Sequence, residues 1–164
     1  MTPNLAEQAK RVITLAGAKN VWLVTAESCT AGLLATLLAD VPGAGETFHG
    51  GIVAYSKACK RTVLEVPELF LEKYTAVSRE VAEAMATGAL KLCGADIAIA
   101  ITGVAGPEPD EDGNPVGLAY VACATRAGQQ RQIRLQLRDT DRSRNRERMM
   151  EEGLKLLEGL LDEQ

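Results

Sequence analysis

A serine and a cysteine stand side by side where an apolar run of the sequence ends. Ser28 and Cys29 follow the apolar residues 21–26 and precede helix-forming sequence that starts at about residue 30. A nucleophile in a turn between a buried strand and a helix lies near the N–H groups that open the helix, which stabilise negative charge. The pattern predicts nucleophilic catalysis by Ser28 or Cys29; it is also typical of a simple helix N-cap.

Such a nucleophile needs a base, and two lysines follow the next predicted strand. Lys57 and Lys60 lie in the segment YSKACK, residues 55–60, whereas the single histidine, His49, stands beside two glycines and is interpreted as a surface turn residue. A lysine that is desolvated beside a sheet edge has a lowered pKa and can accept a proton from a serine. Either lysine fits this chemistry, and surface lysines that open a helix are the alternative interpretation.

A glycine-rich segment, TGVAGP at residues 102–107, follows a further predicted strand. Gly103 and Gly106 remove side-chain bulk, so the backbone there can approach a ligand closely. The segment lacks the Gly-Lys-Ser ending of a P-loop. Loops at the carboxyl ends of inner strands gather at one edge of a sheet, so we expect this segment beside Ser28 and residues 55–60. No metal is expected, because one histidine and four scattered cysteines show no ligand spacing.

Alternating helices and strands position these three segments. Hydrophobic periodicity predicts helices at about residues 5–16, 30–39, 56–63, 67–74, 78–93 and 141–161, and strands at about 21–26, 51–55, 96–101, 118–124 and 133–137. The strand at 96–101 is apolar on both faces and is expected at a central position, whereas 133–137 alternates like an edge strand. We therefore predict one α/β domain over residues 1–164, a three-layer fold with a mixed, mostly parallel β-sheet covered by helices.

Charge and composition restrict the partners. The net charge of −4 gives no general attraction to nucleic acid or acidic membranes. No signal peptide, no long apolar span and no Cys-x-x-Cys pair is present, so we expect a cytoplasmic protein with no nucleic-acid or membrane partner. The half-exposed strand near residue 133 predicts self-association into a homo-oligomer, a dimer or a trimer.

Four ordered motifs resemble the CinA C-terminal domain family over about residues 5–161. They are AESCTAG at 26–32, GGIVAYS at 50–56 with the pair at 60–61, AVS at 76–78, and TGVAGP at 102–107 with PVG at 115–117. The resemblance implies hydrolysis of the carboxamide of nicotinamide mononucleotide to nicotinic acid mononucleotide and ammonia, a pyridine nucleotide salvage reaction. It implies no cofactor, a small-molecule nucleotide as the partner, and a stand-alone version of a domain that follows a larger N-terminal domain in full-length members.

The same resemblance assigns roles to individual residues. It implies that Ser28 is the nucleophile, Lys60 its partner in a Ser-Lys dyad, and Tyr55 an auxiliary hydroxyl. The candidates for binding the substrate are Thr30, Thr102, Gly103, Gly106, Arg142 and Arg146. Arg142 is the expected contact for an anionic group. Arg146 lies one helical turn further on and, by that spacing, is expected to share the same phosphate.

Two departures from the family pattern motivate an alternative function. Ala31 stands where the motif has the first of two glycines, and the extra methyl group is tolerated only if the φ angle of Ala31 is negative. Residues 108–112 form an acidic loop where glycines are more usual, and carboxylates there would repel a phosphate-bearing substrate. The alternatives are therefore a catalytically weak nucleotide-binding or regulatory module, or an amidase for a different amide.

Overall fold

The computed structural model describes residues 3–163, which form eleven regular elements and a short 3₁₀ turn at Ala44–Glu46. The strands are β1 (Leu23–Glu27), β2 (Phe48–Val53), β3 (Ile97–Gly103), β4 (Leu118–Thr125) and β5 (Gln130–Gln136). The helices are α1 (Pro3–Ala18), α2 (Leu33–Ala39), α3 (Lys57–Leu64), α4 (Glu68–Lys73), α5 (Arg79–Cys93) and α6 (Arg142–Asp162). All the predicted helices and strands are present, with shifted ends.

The five strands form one sheet in the order β2-β1-β3-β4-β5. β1 pairs in parallel with β2 and β3, whereas β4 pairs antiparallel with β3 and β5. Four strands therefore run in one direction and β4 runs against them, which confirms the predicted mixed, mostly parallel sheet. β3 is central and almost wholly buried, and β5 is an edge strand with an alternating pattern of exposure. Self-association through β5 stays a prediction.

Helices cover both faces of the sheet, as the predicted three-layer fold requires. Strand side chains alternate between the faces, so Ile99 packs with Leu34 and Leu154 of α2 and α6, whereas Ala98 packs with Met85 of α5. The first core also includes α1, and the second includes α3 and α4. Within residues 3–163, no helix has the length and apolarity needed to cross a membrane.

Side-chain caps fix where two of the helices begin. Ser78 accepts a hydrogen bond from the Val81 N–H at 3.3 Å, as expected for the N-cap of α5. Asp141 caps α6 by accepting from the N–H groups of Ser143 and Arg144 at 2.8 and 3.1 Å. α6 therefore begins at Arg142, and its first turns lie at the edge of the sheet where β1 and β3 end.

Candidate active site

The nucleophile turn, residues 28–32, connects β1 to α2. The Ser28 N–H donates to Ile101 O of β3 at 2.9 Å, and the Ala31 N–H donates back to Ser28 O at 3.0 Å. Ala31 has a φ of 52° and Gly32 a φ of 91°, so two successive residues are left-handed. Ala31 therefore does not meet the condition of a negative φ angle, and its backbone lies in the left-handed region that L-residues with a Cβ rarely adopt. α2 begins at Leu33, three residues later than the predicted start at residue 30, because the left-handed turn lies in between.

Glu27, the last residue of β1, caps α2 from inside the core. Its carboxylate is fully buried and accepts from the N–H groups of Gly32, Leu34 and Ala35 at 3.0, 3.1 and 2.8 Å. These N–H groups therefore cannot stabilise charge on a substrate, and the sequence-based expectation that the opening of the helix does so is wrong. Sequence reasoning missed Glu27; an acidic residue shortly before a helix is the signal that indicates it.

Lys60 lies beside Ser28. α3 is capped by Ser56 and buries Lys60, which is 1% exposed, with its Nζ 2.7 Å from Ser28 Oγ and 3.1 Å from Tyr55 O. Burial lowers the pKa of Lys60 to about 8, because a charged ammonium is costly away from water. Near neutral pH an appreciable fraction of this lysine is a free amine that can accept the proton of the Ser28 hydroxyl.

Lys57, the other candidate base, is directed towards the acidic loop instead. Its Nζ lies 2.6 Å from Asp112 Oδ1 and 3.3 Å from Glu111 Oε1. The hydrogen bond to Asp112 raises the pKa of Lys57, so this residue stays an ammonium. Of the two lysines, Lys60 therefore has both the position and the protonation state that a base for Ser28 needs.

Cys29, the other candidate nucleophile, is directed into the core. Its Sγ lies 3.5 Å from Met149 Sδ of α6, and burial raises the pKa of the Cys29 thiol to about 11. A thiol that is protonated at neutral pH is a poor nucleophile. The geometry and the protonation state both favour Ser28.

Tyr55 contributes its backbone to the Ser-Lys pair. The carbonyl of Tyr55 accepts from Lys60 Nζ and, at 3.4 Å, from Ser28 Oγ. Its side chain is 56% exposed, and the hydroxyl is 3.0 Å from Arg142 Nη2. The Tyr55 hydroxyl therefore contacts Arg142 and not Ser28 or Lys60. The Tyr55 backbone carbonyl, in contrast, holds Lys60 beside Ser28.

The segment after β3 forms the opposite wall of the cleft. Thr102 Oγ1 donates to Ala76 O at 2.7 Å, which ties β3 to the turn before α5. Arg142 Nη1 donates to Gly106 O at 2.7 Å. Arg142 thus spans from the glycine-rich segment to Tyr55 across one end of the cleft.

The two glycines of this wall are required by the protein's own packing. A Cβ on Gly103 would lie 2.6 Å from Ala119 Cβ and 2.9 Å from Leu118 O of β4. Gly106 has a φ of 101°, and a Cβ there would lie 2.9 Å from a methyl group of Val116. The expectation that these glycines make room for a ligand is therefore not needed to explain them, although both line the cleft.

The structure does not bring two of the predicted substrate-binding side chains into the cleft. Thr30 is fully buried, and its Oγ1 has no hydrogen-bond partner within residues 3–163. Arg146 donates from Nε to Cys29 O at 2.7 Å, behind the nucleophile turn. Neither residue is among those that line the cleft.

The cleft has a volume of about 410 Å³. It lies where β1, β2 and β3 end, so the three segments predicted to meet at one sheet edge do meet there. Its lining also includes the acidic loop, through Glu108, Asp110, Glu111 and Asp112. Within residues 3–163, no group of three His, Cys, Asp or Glu side chains is arranged to hold a metal ion.

His49 lies in β2 rather than in a turn. Its ring stacks on Trp22 with centroids 4.4 Å apart, and it does not line the cleft. The predicted strand at 51–55 in fact begins at Phe48, because residues 48–53 pair with β1. The chain's single histidine is therefore outside the site.

These features define an α/β protein with a buried serine–lysine pair in a cleft at the carboxyl ends of parallel strands. The sequence model of the CinA C-terminal domain matches residues 5–161. The chain belongs to the CinA C-terminal domain family.

Relatives and solved structures agree with this assignment. The chain is 41% identical over 162 residues to a CinA-like protein of Akkermansia muciniphila. The matched stretch covers 99% of this chain and 38% of that protein. The chain is also 51% identical over 102 residues to a CinA-like protein of Geotalea uraniireducens, covering 62% of this chain and 24% of that protein. The chain thus spans about a quarter to two fifths of the length of these curated relatives.

Two crystal structures have nearly the same fold over their whole length. A CinA superfamily protein of Klebsiella pneumoniae has a TM-score of 0.93 at 36% identity, covering 98% of this chain and 99% of that chain. The competence/damage inducible protein CihA of Agrobacterium tumefaciens has a TM-score of 0.93 at 34% identity, covering 99% and 98%. The predicted fold class and family are confirmed.

Proposed function

We propose that this protein is an amidohydrolase that converts nicotinamide mononucleotide to nicotinic acid mononucleotide and ammonia. The observation that carries the proposal is the 2.7 Å contact between Lys60 Nζ and Ser28 Oγ, combined with the burial that lowers the pKa of Lys60 to about 8. A buried amine that is partly neutral near physiological pH supplies the base that a serine nucleophile needs in the absence of a nearby histidine. The substrate itself is taken from the resemblance of the motifs.

The reaction proceeds in two halves. Neutral Lys60 takes the proton of Ser28 while Oγ attacks the carboxamide carbon, which produces a tetrahedral oxyanion. The Lys60 ammonium then donates a proton to the leaving nitrogen as the C–N bond breaks, and ammonia departs. Water, deprotonated by Lys60, attacks the acyl-enzyme and releases the carboxylic acid and free Ser28. One amide and one water thus become one acid and one ammonia.

Arg142 supports a substrate that carries an anionic group at one end of the cleft. Arg142 is placed at the cleft with its guanidinium hydrogen-bonded only to neutral oxygens, those of Gly106 and Tyr55, within residues 3–163. A guanidinium in that state is available for bidentate recognition of a phosphate. We assign the phosphate of the mononucleotide to Arg142 on this basis.

The experiment is ammonia release from nicotinamide mononucleotide by the purified protein. Ser28→Ala and Lys60→Met are expected to lose at least about a thousandfold in turnover, because each removes one half of the proton transfer. Lys10→Met, an exposed lysine of α1, is the matched control and is expected to retain wild-type turnover. Turnover by Ser28→Ala at the wild-type rate would contradict the assignment of the nucleophile.

A second candidate function is a nucleotide-binding module with weak catalysis. The observation that favours it is the acidic loop, whose four carboxylates line the cleft and disfavour a phosphate-bearing substrate. Binding of the mononucleotide by the wild-type protein without consumption, measured by calorimetry, would support this candidate over the amidase. Consumption of another amide instead would retain the chemistry and change the substrate.

A further inference from the structure

The acidic loop and Lys57 have no part in the proposed acyl transfer, yet both line the cleft. Lys57 is the first residue of α3, on the wall that carries Tyr55, and its Nζ is 2.6 Å from Asp112 Oδ1 and 3.3 Å from Glu111 Oε1. The loop itself starts on the opposite wall, two residues after Gly106. The acidic loop therefore crosses from one wall of the cleft to the other and meets Lys57 there.

Hydrogen bonds of the loop direct Asp112 towards α3. Asp110 Oδ1 accepts from the N–H groups of Asp112 and Asn114 at 3.0 and 2.8 Å. Asn114 Nδ2 donates to Thr75 Oγ1 at 3.0 Å, which ties the end of the loop to the turn before α5. Asp112 is therefore held across the cleft by the conformation of the loop as well as by its ion pair with Lys57.

Arg142 and Lys57, two cationic side chains that line the cleft, differ in what they contact. Arg142 donates to two neutral oxygens, whereas Lys57 is bound by two carboxylates. Carboxylates and phosphates both bind an ammonium through charge-assisted hydrogen bonds, so they compete for the same donor. The chain's own carboxylates thus fill the positions around Lys57 that an anionic ligand would use.

Water can reach these ion pairs, so an incoming anion can replace them. The side chains of Lys57 and Asp112 are 32% and 21% exposed, and that of Glu111 is 74% exposed. Ion pairs with such access to water contribute little free energy, because solvent screens the charges and two long side chains lose freedom. The contact between the loop and Lys57 is therefore easily exchanged for a contact with a ligand.

We propose that Asp112 and Glu111 are an internal competitor for Lys57, and that a phosphate-type anion binds Lys57 in their place. Lys57 is then a second anion-binding residue of the cleft, besides Arg142. The acidic loop lowers the affinity for such an anion without excluding it, because the anion displaces the carboxylates from Lys57. The inference deepens the proposed function and rests on it only for the phosphate of the substrate.

The test is a double-mutant cycle with inorganic phosphate as the probe, because binding of phosphate needs no turnover. The wild type, Lys57→Met, Asp112→Asn and the double variant are titrated by NMR at fixed ionic strength. We expect Asp112→Asn to lower the Kd of phosphate about two- to fivefold, since a competing carboxylate is gone. In the Lys57→Met background the same substitution should change the Kd by less than about 1.5-fold, because no ammonium is released.

Glu65→Gln is the matched control. It removes a carboxylate that is paired with Lys91 and does not line the cleft. We expect the Kd of phosphate to stay within about 1.5-fold of the wild-type value, because the change in charge is the same but Lys57 keeps its partners.

The outcomes separate this inference from the proposed function. Equal tightening by Asp112→Asn with and without Lys57 would overturn it and indicate a general effect of the loop's charge. An unchanged Kd in Asp112→Asn, or no phosphate binding by any of the four proteins, would overturn it as well. A coupled cycle in a protein that releases no ammonia from the mononucleotide contradicts only the proposed function. Ammonia release together with an uncoupled cycle contradicts only this inference.

Discussion

Lys60 Nζ and Ser28 Oγ are 2.7 Å apart, and the Tyr55 carbonyl is within hydrogen-bond distance of both. Ser28 follows β1, Tyr55 follows β2 and Lys60 lies on α3, which comes directly after; they meet because β1 and β2 are parallel neighbours whose carboxyl ends lie side by side. The sheet therefore brings a nucleophile and a base together across 32 residues of sequence. The fold also buries Lys60, and this burial lowers the pKa of Lys60 so that it can act as a base.

The rate of the proposed reaction should rise with pH with a midpoint near 8, the lowered pKa of Lys60. Only the neutral amine can take the Ser28 proton, so kcat/KM increases as the ammonium is lost and reaches a plateau at higher pH. Lys57→Met should move the midpoint upwards, because the charge of Lys57 contributes to lowering the pKa of Lys60. A profile that is flat from about pH 6 to about pH 10 would contradict the role of Lys60.

Lys60→Met should stabilise the fold while it removes activity. The folded-state pKa of about 8 lies below the ordinary 10.5, so folding disfavours the ammonium. The cost is complete below about pH 8, declines between the two pKa values and vanishes above them. We expect a gain on the order of 1–3 kcal/mol in the free energy of unfolding at about pH 7 and none at about pH 11, measured by urea unfolding. The control is Lys10→Met, which should show no such dependence on pH; equal gains for Lys60→Met at both pH values would argue against the desolvation account.

Ala31→Gly should stabilise the protein by about 1 kcal/mol, because an L-residue with a Cβ is strained in the left-handed region. Ala31 is exposed and has a φ of 52°, so the substitution removes strain and little packing. Ala6→Gly, at an exposed position of α1, is the control, because the same substitution inside a helix lowers stability. We expect it to lower the free energy of unfolding by about 0.5–1 kcal/mol. Thermal unfolding of the two variants checks the pair, and destabilisation by Ala31→Gly would show that the strain is absent.

Removing Lys57 should weaken binding of an anionic substrate. Lys57 neutralises Asp112 and Glu111 on the acidic loop, so Lys57→Met leaves that wall of the cleft with more unbalanced negative charge. We expect a KM about two- to fivefold higher for the mononucleotide, and a lower KM for Asp112→Asn, with both effects reduced in high salt. Steady-state kinetics at two ionic strengths provides the measurement; a KM that changes in the same direction in both variants would exclude an effect of charge.

Local patterns predicted the elements well and their ends less well. The apolar run before Ser28 and the alternation near residue 133 correspond to β1 and to the edge strand β5, because side-chain periodicity follows directly from burial on one or both faces. The predicted start of α2 is too early, because the chain makes a left-handed turn at Ala31 and Gly32 before the helix begins. The buried Glu27 then caps the helix by accepting from its first N–H groups. A side-chain cap of that kind leaves no periodic signal in the sequence.

The sequence by itself determined the α/β fold, the family and the residue types of the cleft, because hydrophobic periodicity and ordered motifs are local properties of the chain. The tertiary structure decided which of two lysines meets Ser28, that Cys29 is directed into the core, and that Arg146 holds the nucleophile turn from behind. Those outcomes depend on distances across strands and on burial. Both arise only when distant segments pack together, and burial is what changes the pKa of Lys60 and of Cys29.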